Sequence, residues 1–273
     1  SVRLALKRLW SHKGLMALLA VGFATAVSLV MTVPMYADAV GIRILQDGFA
    51  DDADRAPFAF LYRYIGSWSG PIDWETYLPA DRYMVGGAPA DMGLDLRFAV
   101  RHVRTDNLRL FPANGAAYGD ARSPLEWINV GFISSVRDHI DIVEGRFPNE
   151  ASEQDESFEV LIHEELANRL GLQVGERYVL YGGPATGGYQ AATFTTHISG
   201  VWRPIDVRDP FWFFQPATLT GTFLVPETTY ADQIAAKLRD DINQAVWYMV
   251  YEQPEIRLQD APDMLLRMSQ VDR

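Results

Sequence analysis

The sequence has no cysteine among its 273 residues. This absence excludes a disulfide scaffold, a zinc site built from cysteines and a cysteine nucleophile. Basic residues are also scarce, with 24 Lys and Arg against 35 Asp and Glu, which gives a net charge of −11. Because no basic surface is available to release counterions from a phosphate backbone, the chain is not expected to bind nucleic acid.

One long stretch lacks charge altogether. From Gly14 to Ala37 the chain places 24 uncharged, mostly apolar residues in succession. As a helix, this run would measure about 36 Å, which exceeds the roughly 30 Å of a hydrocarbon core. We therefore predict a transmembrane helix over residues 14–37.

Two alternatives to a transmembrane helix remain open. Basic residues precede the run, and "ADA" at residues 37–39 resembles a signal-peptide cleavage site. The apolar region of a signal peptide is about 7–15 residues long, however, which is shorter than this run. A buried helix of a soluble protein is the third interpretation, and such a helix normally carries a polar stripe that this run lacks.

The charges on either side of the run predict its orientation. Four basic residues and no acid precede it, whereas Asp38 is the first of many acids that follow. Positive residues are retained on the cytoplasmic side. We therefore expect a plasma-membrane protein with a cytoplasmic N-terminus and an extracytoplasmic main domain. Residues 38–273 hold the remaining 20 basic residues and all 35 acids, a net charge of −15.

Composition and periodicity divide the chain into five predicted parts. These are a cytoplasmic amphipathic helix at 1–13, the transmembrane helix at 14–37, a stalk at 38–55, an extracytoplasmic domain at 56–258, and a stalk helix at 259–273. The last part is expected to return toward a second transmembrane helix that lies beyond Arg273.

The extracytoplasmic domain mixes strand and helix patterns. Aromatic residues alternate from Phe58 to Tyr64, which is typical of a strand. "FEVLIH" is followed by a short helix that is expected to stop at Gly171, and another helix is predicted over residues 228–241. The pattern predicts an α+β fold of mixed sheets and short helices, divided between two subdomains.

A proline-bounded segment, "VWRPIDVRDPFWFFQP", concentrates aromatic side chains. Its members are Trp202, Phe211, Trp212, Phe213 and Phe214. An exposed cluster of this kind would contact a partner, a lipid or an apolar substrate. In the other interpretation the segment folds back over the core, since aromatic side chains usually bury their area.

Catalytic and metal-binding motifs are incomplete in this sequence. "HEELA" at residues 163–167 begins like a zinc-binding helix, but Ala167 replaces the second histidine. "GSWSG" has Trp68 at the position of a nucleophilic serine. The glycine-rich stretches lack the Lys-Ser/Thr of a phosphate loop. The protein is therefore predicted not to be an enzyme, and to bind no metal or cofactor.

Three short segments occur in a recognisable order. They are "EGRFP", with Gly145, Arg146 and Phe147; "LGLQVGE", with Gly171 and Gly175; and "ISGV", with Gly200. Together with the "LALKRLWSHKG" start, they resemble the extracytoplasmic core domain of FtsX/MacB-type ABC-transporter permeases and the helix before it. The glycines suit turns with positive φ and, at Gly200, close packing of strands.

The resemblance implies a function and a set of partners. Permeases of this type span the membrane four or more times, associate as homo- or heterodimers and work with a cytoplasmic ABC ATPase. The outer domain would then transmit ATP-driven movement to events outside the membrane. A singly anchored binding or sensor module and a secreted hydrolase are the alternatives that the residues leave open.

Overall fold

The computed structural model describes residues 59–113, 123–182, 192–238 and 241–252, with isolated positions at 14, 18, 21–23, 25, 266, 267 and 271. Contacts divide the chain into two units, of which one is Ser1–Ala53 with Glu255–Ser269 and the other is Asp54–Pro254 with Gln270–Arg273. All strands and helices that are labelled below belong to the second unit.

Strands dominate the described part of this unit. They are β1 (Ala59–Ile65), β2 (Leu96–Arg104), β3 (Leu108–Pro112), β4 (Glu126–Ile133), β5 (Ile140–Gly145), β6 (Ser157–His163), β7 (Arg177–Gly182), β8 (Ala192–Pro204), β9 (Thr222–Leu224) and β10 (Gln244–Tyr251). The α-helices are short: α1 (Gly66–Ser69), α2 (Trp74–Arg82), α3 (Ala88–Met92), α4 (Glu164–Leu170) and α5 (Glu227–Thr229). This composition confirms the predicted α+β class.

β1, β10 and β2 form a three-stranded sheet with β10 in the centre. Both outer strands pair antiparallel with β10 and are therefore parallel to each other. The helical stretch from α2 to α3 connects them. It begins where Asp73 accepts a hydrogen bond from Thr76 N at 3.0 Å, and it ends at Gly93 in the left-handed conformation. One face of the sheet lies against these helices, where Tyr77 stacks on Trp247.

Six further strands close into a ring. The ladders run from β4 through β3, β7, β8, β6 and β9 and return to β4. Its interior is apolar, because Leu110, Leu180 and Phe194 are cross-strand neighbours and each is at most 2% exposed. β5 pairs antiparallel with the C-terminal part of β8, from Gly200 to Pro204.

β4 belongs to both the ring and the three-stranded sheet. β2 and β3 pair with opposite halves of β4 on either side of a short break at Thr105. There Thr105 N donates to Val130 O, and Val130 N donates to the Thr105 hydroxyl, so the side chain replaces a ladder bond. The two expected subdomains are thus joined in one hydrogen-bonded network of strands.

The beginning and the end of this network are neighbours. Ala59, the first residue of β1, lies opposite Val250 near the end of β10. The chain therefore comes into and leaves the described strands at the same end of the three-stranded sheet. This arrangement follows from the antiparallel pairing of the first and last strands.

Most predicted elements of the domain are found near their expected positions. The helix predicted over 228–241 is shorter, since α5 and a π-helical turn (Tyr230–Ala235) end before the chain turns into β10. Ile242 already bridges to Ile72 at the edge of the sheet, which prevents the helix from continuing.

The predicted transmembrane run lies outside the described residues except for six positions. No helix within the described part of the chain has the length and apolarity needed to cross a bilayer. The six positions, Gly14, Leu18, Val21, Gly22, Phe23 and Thr25, are helical and exposed.

Candidate functional site

The three segments that carry the family resemblance meet on β8. Gly145 lies opposite Gly200 in the β5–β8 ladder. A Cβ on Gly145 would lie 2.2 Å from Ser199 O, and a Cβ on Gly200 would lie 2.5 Å from Arg146 O. Both distances are shorter than any tolerable contact, so the close approach of the two backbones requires glycine at both positions.

The turn after α4 joins the same junction. Gly175 N donates to Ile198 O at 2.8 Å, and Ile198 N donates to Glu176 O at 3.0 Å. Gly171 and Gly175 have φ values of +71° and +87°, as their positions in the sequence predicted. We call residues 145–147, 174–176 and 198–201 the glycine junction.

A charged cluster borders the glycine junction. Arg146 donates two hydrogen bonds to the carboxylate of Glu159, which also accepts from Asn149 N at 2.8 Å and lies 3.2 Å from His197 Nε2. The bonds from Arg146, followed by those from Asn149 and His197, outweigh burial and lower the pKa of Glu159 from 4.5 to about 2. This carboxylate therefore holds the Arg146 segment against β6 and β8.

A second ionic cluster connects the helical layer to the ring. Arg101 on β2 donates to Asp81 at 2.9 Å and makes two bonds, of 2.8 and 2.7 Å, to Glu227. Asp81 also accepts from the Tyr77 hydroxyl and from Trp247 Nε1, both at 2.8 Å. Burial and the charge of Asp81 raise the pKa of Tyr77. Each charged side chain of this cluster is hydrogen-bonded to a partner, and this pairing is what allows partly buried charges to be stable.

The predicted aromatic residues lie mainly in the core. Trp202 on β8 is fully buried, and Phe211 and Trp212 are 3% and 9% exposed. Trp202 and Trp212 stack with ring centroids 6.0 Å apart. Their burial agrees with the interpretation in which the segment folds back over the core. Phe213 and Phe214 are half-buried, so a contact role for the segment remains a prediction that concerns these two side chains.

Polar contacts hold residues 206–214, the aromatic segment, in place. His139 Nδ1 lies 2.7 Å from Asp209 Oδ2, and the His139 ring stacks on Phe211 at 3.7 Å. Asp209 Oδ1 accepts from Phe211 N, and Trp212 Nε1 donates to Asp206 O. Burial alone would raise the pKa of Asp209. The hydrogen bond from Phe211 N and the nearby His139 outweigh burial, so the pKa of Asp209 is lowered.

The aromatic segment covers the second face of the three-stranded sheet. Three rows of cross-strand neighbours form this face: Ala59–Val250–Phe98, Leu61–Tyr248–Val100 and Arg63–Val246–His102. Phe213 packs near Tyr248, with ring centroids 6.2 Å apart. Val100 is 1% exposed, whereas Leu61 on the outer strand is 42% exposed. We call Leu61, Phe98, Tyr248 and Phe213 the apolar shelf.

His102 lies buried beside this shelf. It is 2% exposed, its ring centroid is 5.5 Å from that of Phe213, and neither ring nitrogen has a hydrogen-bond partner among the described residues. Burial, with a contribution from Arg104, lowers the pKa of His102 to about 3, so the ring is neutral at pH 7. A neutral imidazole offers one donor and one acceptor. Leaving a buried donor or acceptor unpaired costs about 1–3 kcal/mol.

His163, from the incomplete zinc motif, lies at the start of a helix. The His163 ring accepts a hydrogen bond from Glu165 N and thereby caps α4. Within the described ranges, no three metal-ligating side chains come together. A shallow cleft between β3 and β7 contains Glu176, whose carboxylate accepts from Gln173 N and from the Tyr178 hydroxyl.

Sequence reasoning missed several residues of these sites. Arg101, Glu227 and Asp81 are far apart in the chain, and no local pattern connects them. Leu61 and His102 belong to no sequence motif. The alternation along β1 and β2 was the available signal, since it assigns both side chains to one sheet face.

These observations define an α+β domain in which a six-stranded ring shares a strand with a three-stranded sheet. No protein-family model matches the sequence, and no curated protein matches it. Among solved structures, the chain is similar to a domain of a candidate permease protein from Porphyromonas gingivalis. The similarity covers 69% of this chain and 70% of that chain, with 17% identity and a TM-score of 0.33. This similarity assigns neither a family nor an activity to the chain.

Proposed function

We propose that the chain is the N-terminal portion of a permease subunit of an FtsX/MacB-type ABC transporter. Its outer domain would couple ATP hydrolysis in the cytoplasm to export, extraction or signalling outside the membrane. The partners would be a cytoplasmic ABC ATPase and a second permease subunit, as homo- or heterodimer.

The glycine junction is the observation that carries this proposal. Three segments that resemble permease motifs are separated by more than 50 residues of chain from first to last. In the structure they pack at one point, where the backbone distances require Gly145 and Gly200 and a φ of +87° favours glycine at Gly175. The similarity therefore concerns residues that share one physical task, which supports a common fold over a chance match of short motifs.

Two further features agree with an anchored domain. The chain enters and leaves the described strands at one end of the three-stranded sheet, as expected of a domain that is inserted between two membrane segments. Leu18, Val21 and Phe23 in the uncharged run are helical and 77%, 66% and 75% exposed. Large apolar side chains with such exposure are stable when lipid replaces water around them.

The absence of cysteine makes the orientation directly testable. Ser11→Cys lies before the apolar run, and Ser69→Cys lies at an exposed position of α1. In bacterial spheroplasts, a membrane-impermeant maleimide should label Ser69→Cys at once and Ser11→Cys only after lysis. Equal labelling of both, or the reverse order, would contradict the proposed orientation.

Association with an ATPase separates the permease from the alternatives. Mild solubilisation of native membranes should recover the chain with an ABC ATPase in a fixed ratio. Recovery of an anchored chain without an ATPase would favour a sensor or binding module. A mature chain whose mass shows cleavage after Ala39 would instead indicate a secreted protein.

A further inference from the structure

We propose that the outer edge of β1 pairs antiparallel with the same strand of a second copy of this chain, so that two three-stranded sheets become one continuous sheet. This inference rests on the proposed function, because it requires two copies that are anchored in one membrane. It names the contact, and it selects a second copy as the partner subunit.

The outer edge of β1 presents a defined set of backbone groups. Residues that lie opposite each other in an antiparallel pair alternate between two kinds, and only one kind exchanges hydrogen bonds. Gly66 N donates to Asn243 O at 2.7 Å, and this pair continues the register in which Ala59 lies opposite Val250. Every second residue counted back from Gly66 therefore bonds to β10. The N–H and C=O groups of the other residues point outward, and these residues are Ala59, Leu61, Arg63 and Ile65.

This outer edge lacks the features that normally prevent pairing with another chain. Within the described ranges β10 is the only strand that pairs with β1, and Leu61 and Arg63 are exposed. Edges that stay exposed in a monomer are usually interrupted by proline, a bulge or several charges. β1 contains no proline, its register with β10 is regular over all seven residues, and Arg63 is its only charge.

β5 shows how another edge of this protein is protected. In the described part of the chain it pairs with β8 alone, and its register shifts between Ile142 and Glu144. Asp141 and Glu144 also place two charges among its six residues. Since β1 has neither the irregular register nor the acids, its outer edge is the one that suits pairing with a further strand.

The residue order of β1 makes the strand complementary to itself. The outward groups of one copy can bond only to the outward groups of the other, which restricts the possible registers. One register overlaps all seven residues. It places Tyr62 opposite the same residue of the second copy, Phe60 opposite Tyr64, Leu61 opposite Arg63 and Ala59 opposite Ile65. Aromatic side chains then face each other, whereas the neighbouring register that places Arg63 opposite itself is disfavoured by like charges.

The symmetry of this pairing suits two anchored copies. Antiparallel pairing about Tyr62 creates a two-fold axis perpendicular to the sheet. Both copies therefore turn the same face of the three-stranded sheet to the same side. Two subunits that cross one membrane in the same orientation are related by an axis of this kind.

The size of the contact indicates where it forms. A strand of seven residues is only about 23 Å long, and its edge buries less than the roughly 1,200–2,000 Å² of a stable interface. Anchoring in one membrane raises the effective concentration of the second copy. We therefore expect the contact between full chains in a membrane and not between separate domains in dilute solution.

Because the chain has no cysteine, introduced cysteines can test this register directly. Cysteine variants of the full chain are oxidised with copper phenanthroline in native membranes. Tyr62→Cys should form a disulfide-linked dimer, since directly opposite residues have Cα atoms about 4.5–5.5 Å apart. Phe60→Cys alone and Tyr64→Cys alone should cross-link at least about fivefold less, because four residues of strand, about 13 Å, separate each from its counterpart. Co-expression of these two variants should restore the dimer.

Two results would overturn the pairing. One is the absence of a dimer with Tyr62→Cys. The other is equal cross-linking of the three single variants without a gain on co-expression, since this pattern is expected of random collisions.

A charge exchange at one position provides a matched control. In the Tyr62→Cys background, Leu61→Lys places like charges opposite each other at Arg63 and should reduce the dimer at least about threefold. Leu61→Glu introduces a charge at the same exposed position but places an acid opposite Arg63, so the dimer should be retained. Equal loss of the dimer in both variants would contradict the proposed register.

This proposal and the proposed function can fail separately. A chain that is labelled in the expected orientation and recovered with an ATPase, but gives no dimer at Tyr62→Cys, would retain the permease and reject the β1 contact. An anchored chain that cross-links in the expected pattern, but is recovered without an ATPase, would retain the contact and reject the transporter.

Discussion

At the scale of residues, Gly145 and Gly200 show how a short motif acquires a physical meaning. Each faces the backbone of the other's segment at a distance that leaves no space for a side chain. Gly145 also has φ of +77°, which side chains disfavour. The close approach allows Arg146 N to donate to Ser199 O at 2.9 Å, so the glycines make the strand pairing itself possible.

Gly200→Ala is predicted to destabilise the fold by about 2 kcal/mol or more, because the added methyl group would force the β5 and β8 backbones apart. Gly86→Ala is a matched control, since a Cβ at Gly86 meets nothing within 4 Å. Urea unfolding of both variants measures the difference. Equal stability of the two variants would contradict the geometry of the glycine junction.

The lowered pKa of Glu159 predicts that the stability of the fold depends on pH. Its pKa is lowered from 4.5 to about 2 in the folded state. A depressed pKa contributes stability that is present above the unfolded value and is lost as pH falls through the folded one. The free energy of unfolding of the natural chain should therefore exceed that of Glu159→Gln at pH 6, and the difference should fade between pH 4.5 and pH 2.

Glu153→Gln, at an exposed position, is the control for this measurement. It should follow the natural chain throughout the same pH range. A difference for Glu159→Gln that persists undiminished at pH 2 would mean that the carboxylate does not stabilise the fold through its charge.

At the scale of elements, Arg101 connects three parts that are distant in sequence. It lies on β2, Asp81 lies on α2, and Glu227 begins α5 after the ring strand β9. The side chains of Arg101 and Asp81 are only 22% and 11% exposed. Removal of one partner from such a pair leaves an uncompensated charge, which is the costly case.

Arg101→Met is predicted to lower the stability by about 2–4 kcal/mol, mainly because Asp81 loses its counter-charge. The double variant Arg101→Met/Asp81→Asn should recover part of this loss, since the buried charge is then removed as well. Denaturant unfolding of the two single variants and the double variant gives the coupling. Strictly additive effects would show that the two side chains do not interact.

The aromatic segment gives a second prediction at this scale. Asp209→Ala removes both the contact with His139 and the cap on Phe211 N. The segment should then detach more often, and chymotrypsin should cleave after Phe211–Phe214 faster than in the natural chain. Arg208→Ala, a change at an exposed neighbour, should leave the cleavage rate unchanged. Faster cleavage in both variants would show that any substitution in this loop exposes it, and that the contacts of Asp209 are not specifically responsible.

Local patterns predicted the elements to different degrees. β6, α4, β7 and β8 follow from alternation, caps and turn glycines, because these signals lie within a few residues of each other. β5 was not predicted, since it is an edge strand whose Asp141 and Glu144 interrupt the apolar pattern. The end of the helix after α5 depends on the bridge between Ile242 and Ile72, a distant contact that no local signal contains.

At the scale of the whole molecule, the sequence predicted the class of fold but not that six strands close into a ring. The ring depends on the parallel pairing of β4 with β9, whose residues are about 90 positions apart in the chain. The sharing of β4 between sheet and ring likewise comes from long-range pairing. Such contacts are set by the packing of complete elements and leave no local signal in the sequence. The two subdomains that the sequence predicts are therefore connected by a continuous network of strands, which the sequence did not predict.

That network predicts that residues 56–258 fold without the rest of the chain. All ladders of the ring and the three-stranded sheet lie within Ala59–Tyr251, and Ala59 lies opposite Val250, so removal of both ends breaks no described strand pairing. The fragment should be soluble and monomeric, and it should show one cooperative transition in which circular dichroism and tryptophan fluorescence coincide. Two separate transitions would indicate that the ring and the sheet are independent, and a failure to fold would show that residues outside 56–258 contribute to the core.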